Sequence, residues 1–151
     1  MMMLECDAKT FLASVGVNVP AGTVWRRGEA AAGVNVVAYP VAVKAQVRSG
    51  GRGKQGGVVK VADLAALEAA AKKLFDTEFG GEKPDALLIE PWLAIDREAY
   101  LSVAVDGRAE GYVVMYSPKG GMDIEDGPPP VRYAVGAPWN FRVHKLRAIL
   151  E

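Results

Sequence analysis

The sequence predicts an α+β fold in which helices lie on one face of an antiparallel sheet that includes a glycine-rich hairpin. Alternating apolar residues at 40–47 and 58–61 indicate two strands, and the loop between them contains five glycines. Apolar residues at helical spacing follow at 64–75, and a second strand pair follows at 97–117. This order lacks the regular strand–helix alternation of parallel α/β folds, which favours the α+β class.

The first predicted element is a short amphipathic helix at 4–15, followed by Gly16 at the position just past a helix end. Its apolar residues recur at helical spacing: Leu4, Ala8, Phe11, Leu12 and Val15. An extended segment then turns at 20–22, and the alanine-rich piece 28–33 is long enough only for a helical turn.

The strand at 40–47 has two chemically different faces because side chains alternate along a strand. One face carries Val41, Val43, Ala45 and Val47. The other carries Ala42, Lys44, Gln46 and Arg48. The β-branched run at 57–61 completes the hairpin.

A helix at 64–75 begins after Asp63, the predicted N-cap, and its buried stripe is Leu64, Leu67, Ala71, Leu74 and Phe75. An apolar strand is predicted at 85–90, and the hairpin at 97–117 turns at Asp106 and Gly107. The proline-rich stretch 127–140 looks irregular, and a helix begins within 141–151.

The composition excludes several classes of partner. The 151 residues include 18 basic and 18 acidic side chains, so bulk binding to nucleic acid or to a membrane surface is not expected. Cys6 and His144 are each the single residue of their type, which argues against a disulfide framework and a zinc site. The acidic start and the lack of a long apolar run predict a cytoplasmic location.

The loop sequence GRGKQG (51–56) matches the G-x-G-x-x-G pattern of dinucleotide-binding folds, but its surroundings do not fit. In those folds the glycines open a helix, whereas here they lead into the strand VVKV. The loop does not match a Walker-type phosphate loop either, because Gln55 stands where that motif needs Ser or Thr.

A glycine-rich hairpin lying over nucleotide phosphates fits the pattern better. Glycines let backbone N–H groups approach phosphate oxygens, and Lys44, Arg48, Arg52 and Lys54 surround the loop with positive charge. A solvated basic hairpin without a ligand remains the alternative at this point.

Four motifs in order resemble the N-terminal ATP-grasp portion of the succinyl-CoA synthetase β-subunit family, which includes malate–CoA ligase. They are the opening ECDAKTFLASVGVNVPAG, the loop GGRGK, the segment LLIEPWLAIDREAYLSVAVD and the turn GGMDIE. The resemblance implies an incomplete ATP-grasp fold, with 20–105 as the nucleotide-binding lobe and 1–19 with 106–151 as part of a truncated second lobe.

The resemblance also implies a set of nucleotide-binding residues. By position, Lys44 and the loop residues Gly51, Arg52 and Gly53 are expected to contact phosphates. Glu90 and Leu93 are expected at the adenine hinge, and Glu98 on the ribose. Three of these positions have a simpler alternative. Lys44 could be an exposed strand lysine, Glu90 could be a turn carboxylate, and Glu98 could pair with Arg97 or Lys119.

The implied activity is that of an acid–CoA ligase. In this family ATP phosphorylates a histidine of a partner α subunit, and the phosphate passes to a carboxylic acid before CoA displaces it. ATP with Mg²⁺ is therefore the expected cofactor, with the metal ligands expected beyond the end of this chain. No catalytic or metal-binding residue is assigned within it.

Two features separate this chain from the typical family pattern. Arg48 stands where histidine is common, and Lys119 stands where glutamate is common, which leaves the acid substrate open. The predicted truncation implies that the 151-residue chain is inactive alone. The alternative function is a shortened, non-catalytic ATP-grasp module for nucleotide binding or subunit assembly.

Overall fold

The computed structural model describes residues 3–34, 36, 38–121 and 127–150. The chain divides into two compact units, Met1–Leu93 and Ala94–Glu151, and each has its own sheet. The lobe boundaries expected from the sequence, 20–105 and 1–19 with 106–151, stay a prediction.

In the first unit the helices and strands are, in chain order, α1 (Glu5–Ser14), β1 (Thr23–Arg26), β2 (Val41–Gln46), β3 (Val58–Val61), α2 (Leu64–Asp76) and β4 (Ala86–Pro91). In the second unit they are β5 (Tyr100–Asp106), β6 (Gly111–Ser117), β7 (Val131–Gly136) and α3 (Val143–Leu150). A short 3₁₀ turn at Ala31–Gly33 agrees with the helical turn predicted at 28–33.

The described strands of the first unit form an antiparallel sheet in the order β1–β4–β2–β3. The apolar face of β2 packs with α2 in one core, as the alternation predicts. Its buried members from these two elements are Val41, Val43, Ala45, Leu67, Ala71, Leu74 and Phe75. The predicted α+β class, antiparallel sheet and glycine-rich hairpin are confirmed.

Helix α2 begins as predicted, because the Asp63 carboxylate accepts a hydrogen bond of 2.8 Å from the Ala66 N–H. Leu64 departs from the predicted stripe and is 54 % exposed. It is the first residue of the helix, and the buried residues begin at Leu67, so helical periodicity alone misplaces it.

The prediction that the helices lie on one face of the sheet is wrong for helix α1. It contacts Lys44 and Gln46, which alternate with the α2-facing residues of β2, so it lies on the opposite face of the sheet from α2. These contacts are polar: the Cys6 N–H donates to Gln46 Oε1 at 2.9 Å. No residue of α1 is buried, and Phe11 of the predicted apolar stripe is 60 % exposed.

The second unit contains the predicted hairpin and a strand that the prediction missed. β5 and β6 pair around a turn at Asp106, whose carboxylate accepts a 2.8 Å hydrogen bond from the Arg108 N–H. The prediction of irregular structure over 127–140 is wrong for 131–136, because β7 pairs with β6 there. Helix α3 places Leu146 and Ile149 against this sheet.

Within the described residues, no helix combines the length and apolarity needed to cross a membrane.

Phe79 and Phe11, both in the first unit, offer a matched test of this packing. Phe79 is fully buried, so Phe79→Ala is expected to lower the free energy of unfolding by about 3–5 kcal/mol. Phe11→Ala removes the same atoms from an exposed site and is expected to cost about 0.5 kcal/mol or less. Urea denaturation followed by circular dichroism measures both. Equal losses of unfolding free energy in the two variants would contradict the exposure of Phe11 on α1.

Candidate functional site

Five charged side chains of the first unit meet on the α1 face of the sheet. They are Glu5 and Lys9 from α1, Lys44 from β2, Arg52 from the loop and Glu90 from β4. We call this group the ionic cluster. It combines three predicted site residues with two from the first helix.

Glu90 is the most deeply buried member, with 3 % of its side chain exposed. It lies opposite Ala42 on the neighbouring strand, which places it on the same face as Lys44. Its Oε2 is 2.7 Å from Lys44 Nζ, and its Oε1 accepts a hydrogen bond from Lys9. A buried carboxylate needs such partners because burial without them is costly.

Glu5 links Lys44 to Arg52. Its Oε1 lies 3.1 Å from Lys44 Nζ and 2.9 Å from Lys9 Nζ, and its Oε2 pairs with Arg52 Nη2. The two oxygens of one carboxylate therefore bind different cations. The two cations that the sequence analysis expected to contact phosphate lie on either side of a single anion.

The surrounding side chains keep both Glu5 and Lys44 in their ionised forms. Partial burial alone would raise the pKa of Glu5, but the hydrogen bond from Lys9 and the charges of Lys44 and Arg52 lower it to about 2. Burial alone would lower the pKa of Lys44, but its hydrogen bond to Glu90 and the charge of Glu5 raise it above 10.5. Three cations and two carboxylates leave the ionic cluster with one net positive charge.

The glycine loop, residues 50–57, holds Arg52 in place through its backbone. The Arg52 carbonyl accepts hydrogen bonds from the N–H groups of Gly57, at 2.7 Å, and Gln55, at 3.2 Å. A Cβ on Gly57 would lie 2.9 Å from that carbonyl oxygen, so this close approach requires glycine. Gly51 adopts a φ of +75°, and Gly53 accepts a hydrogen bond from Gly56.

Two open clefts flank Glu90. One, of about 540 Å³, is largely apolar and is lined by side chains that include Tyr39, Pro91 and Trp92. The other, of about 310 Å³, is lined by residues that include Cys6 and Lys9. An apolar cleft beside a cluster of cations is the arrangement expected for a ligand with a flat ring and an anionic tail.

The structure brings some of the predicted site residues together and separates others. Lys44, Arg52 and Glu90 meet in the ionic cluster, and Leu93 is an exposed residue at the end of the first unit. Glu98 belongs to the second unit, where its backbone carbonyl accepts a hydrogen bond from the Gly120 N–H. The motif residues Met122, Asp123, Ile124 and Glu125 lie outside the described residues.

Arg48, one of the four cations expected around the loop, pairs with Glu82 at 3.3 Å. Glu82 also accepts a hydrogen bond from the Arg48 N–H. This pairing connects the end of β2 to the turn after α2 and accounts for the position of Arg48 without a ligand.

Glu5 and Lys9 were not among the predicted site residues. Their spacing of four residues is a detectable signal for a pair on one helix face. Their contacts with residues 39 to 81 positions away follow from the placement of α1 on the sheet, and no local pattern reveals that placement.

Across the described ranges, no group of three or more histidine, cysteine, aspartate and glutamate side chains is placed to hold a metal ion.

A family model described as an ATP-grasp domain matches residues 2–128. The beta subunit of the ADP-forming succinate–CoA ligase of Acidobacterium capsulatum is 40 % identical over 138 residues, which is 83 % of this chain and 35 % of the relative. The same subunit of Methanocaldococcus jannaschii is 34 % identical over 126 residues, 83 % of this chain and 34 % of the relative. The resemblance seen in the motifs is confirmed, and the chain spans about a third of the length of these relatives.

Solved structures agree on the fold. PH1788 of Pyrococcus horikoshii superposes with a TM-score of 0.69 at 22 % identity, over 98 % of this chain and 63 % of its own. ATP citrate lyase of Methanothrix soehngenii, in complex with citrate and coenzyme A, gives 0.66 at 20 % identity, over 87 % of this chain and 34 % of its own. The predicted ATP-grasp fold is confirmed.

The lowered pKa of Glu5 predicts a pH-dependent contribution to stability. Because its folded pKa of about 2 lies below its ordinary value of 4.5, Glu5 stabilises the fold above pH 4.5 and loses this effect as the pH falls towards 2. Glu5→Gln is expected to lower the free energy of unfolding by about 1–3 kcal/mol at pH 7, and by less at pH 3. Urea denaturation at the two pH values measures the difference.

Asp7→Asn is the matched control, since Asp7 is an exposed carboxylate on the same helix. It is expected to change stability by about 0.5 kcal/mol or less at both pH values. A Glu5→Gln effect that is the same at pH 7 and pH 3 would contradict the pairing of Glu5 with the cations.

Proposed function

The chain belongs to the ATP-grasp domain family, and from this membership we propose that it is the ATP-binding portion of an acid–CoA ligase β subunit. The observation that carries the proposal is the convergence of Lys44 and Arg52 on one anion, Glu5, beside an apolar cleft. Nucleotide phosphates require such paired cations, and an ammonium and a guanidinium both donate readily to phosphate oxygens.

The side chains of the ionic cluster have distinct proposed roles. Lys44 and Arg52 neutralise phosphate charge, and the backbone of Gly51 and Gly53 lies alongside. Both oxygens of Glu90 already bind lysines, so we propose that Glu90 acts by fixing Lys44. The apolar cleft and the backbone at Leu93 are proposed to bind the nucleoside.

Glu98 is proposed to bind the ribose, as its position in the sequence motif suggests. Mg²⁺ is the metal that ATP brings in this family. Since the described residues supply no cluster of metal ligands, we assign no metal-dependent step to this chain.

The wider reaction is also a proposal. ATP would phosphorylate a histidine of a partner α subunit, and the phosphate would pass to a carboxylic acid and be displaced by CoA. This chain would contribute positioning of the nucleotide and neutralisation of its charge, the main routes to faster phosphoryl transfer. The cytoplasmic location and the inactivity of the chain alone stay predictions.

Lys44→Ala tests the proposal directly. Removing the ammonium is expected to weaken ATP binding by roughly tenfold or more, because a hydrogen bond to a charged group contributes about 1.5–3 kcal/mol. Isothermal titration calorimetry with ATP and with GTP measures the change. Lys72→Ala, which removes an exposed lysine on α2, is expected to leave the affinity unchanged.

An unchanged ATP affinity in folded Lys44→Ala would show that Lys44 does not contribute to ATP binding. Failure of the unmodified chain to bind either nucleotide would contradict the proposed function as a whole.

A further inference from the structure

We propose that Glu5 is a displaceable counter-ion: it holds Lys44 and Arg52 until nucleotide phosphates take its place. This inference rests on the proposed function and adds a residue of the first helix to the site. It makes the first helix part of the control of nucleotide binding.

The geometry of Glu5 resembles that of a bound phosphate. One oxygen contacts Lys44 at 3.1 Å and the other pairs with Arg52, so a single anion bridges both cations. Carboxylate and phosphate oxygens accept hydrogen bonds from the same donors. An anion that contacts both cations in this way therefore competes with Glu5 for the same N–H groups.

The charges of the ionic cluster favour replacement over addition. With Glu5 in place the cluster has one net positive charge, and a polyphosphate placed beside that carboxylate would be repelled. If Glu5 moves away, Lys44 and Arg52 face the phosphates directly.

The structure also distinguishes the partner that moves from those that stay. Glu90 is 3 % exposed and lies on a strand, so it continues to hold Lys44. Glu5 is 24 % exposed and lies near the start of α1. Lys9, one helical turn along and 2.9 Å away, can keep the displaced carboxylate paired.

Calorimetry on the chain with ADP, inorganic tripolyphosphate and adenosine tests this inference. Glu5→Gln is expected to raise the affinity for ADP and tripolyphosphate roughly tenfold, or about 1.4 kcal/mol. The affinity for adenosine, which has no phosphate, is expected to be unchanged. Asp7→Asn is the control with the same chemical change on the same helix, and all its affinities should match those of the unmodified chain.

The possible failures are distinguishable. If the unmodified chain binds ADP and folded Glu5→Gln binds it equally or more weakly, Glu5 positions the cations instead of competing for them; the inference fails and the proposed function stands. A rise for adenosine equal to that for ADP would also overturn the inference. If the unmodified chain binds neither ADP nor tripolyphosphate, both fail.

A measurement on the unmodified chain covers the case in which Glu5→Gln does not fold. At pH 7, saturation with ADP is expected to move the carbon-13 resonance of the Glu5 carboxyl towards that of the exposed Glu68. The shift follows because the carboxylate leaves Lys44 and Arg52. A Glu5 resonance that stays fixed while the Lys44 resonance shifts would overturn the inference.

Discussion

The buried carboxylate of Glu90 is the constraint on which the candidate site depends. A charge that is 3 % exposed on a sheet strand is stable only with cationic partners, and Lys9 and Lys44 supply them. This requirement fixes the Lys44 ammonium on one face of β2 and draws α1 onto that face. Through Glu5, the same helix then holds Arg52.

The two faces of the first sheet consequently differ in their contacts, which are apolar on the α2 face and polar on the α1 face. Valines and alanine of β2 pack against α2 in a conventional apolar core, which holds the strands in register. The opposite face is covered by α1 through charged and polar contacts, while the apolar side chain of Phe11 stays exposed. Apolar burial is thus concentrated on the α2 face, and the α1 face holds the charged side chains of the ionic cluster.

Much of this fold could be predicted from local pattern, because the period-two alternation of β2 and the capped helix α2 each depend on near neighbours in sequence. The motifs also located Lys44, Arg52 and Glu90. Local pattern could not reveal β7, whose pairing with β6 decides its structure, or the contact of the polar side of α1 with the sheet. Glu5 was missed for the same reason: its partners Lys44 and Arg52 are 39 and 47 residues away.

A crystal structure of the chain with ADP would show whether the ionic cluster binds phosphate. Phosphate oxygens are expected within hydrogen-bonding distance of Lys44 Nζ and the Arg52 guanidinium, with Lys44 still paired to Glu90. ADP bound elsewhere, with Glu5 still joining Lys44 and Arg52, would contradict phosphate binding by the ionic cluster.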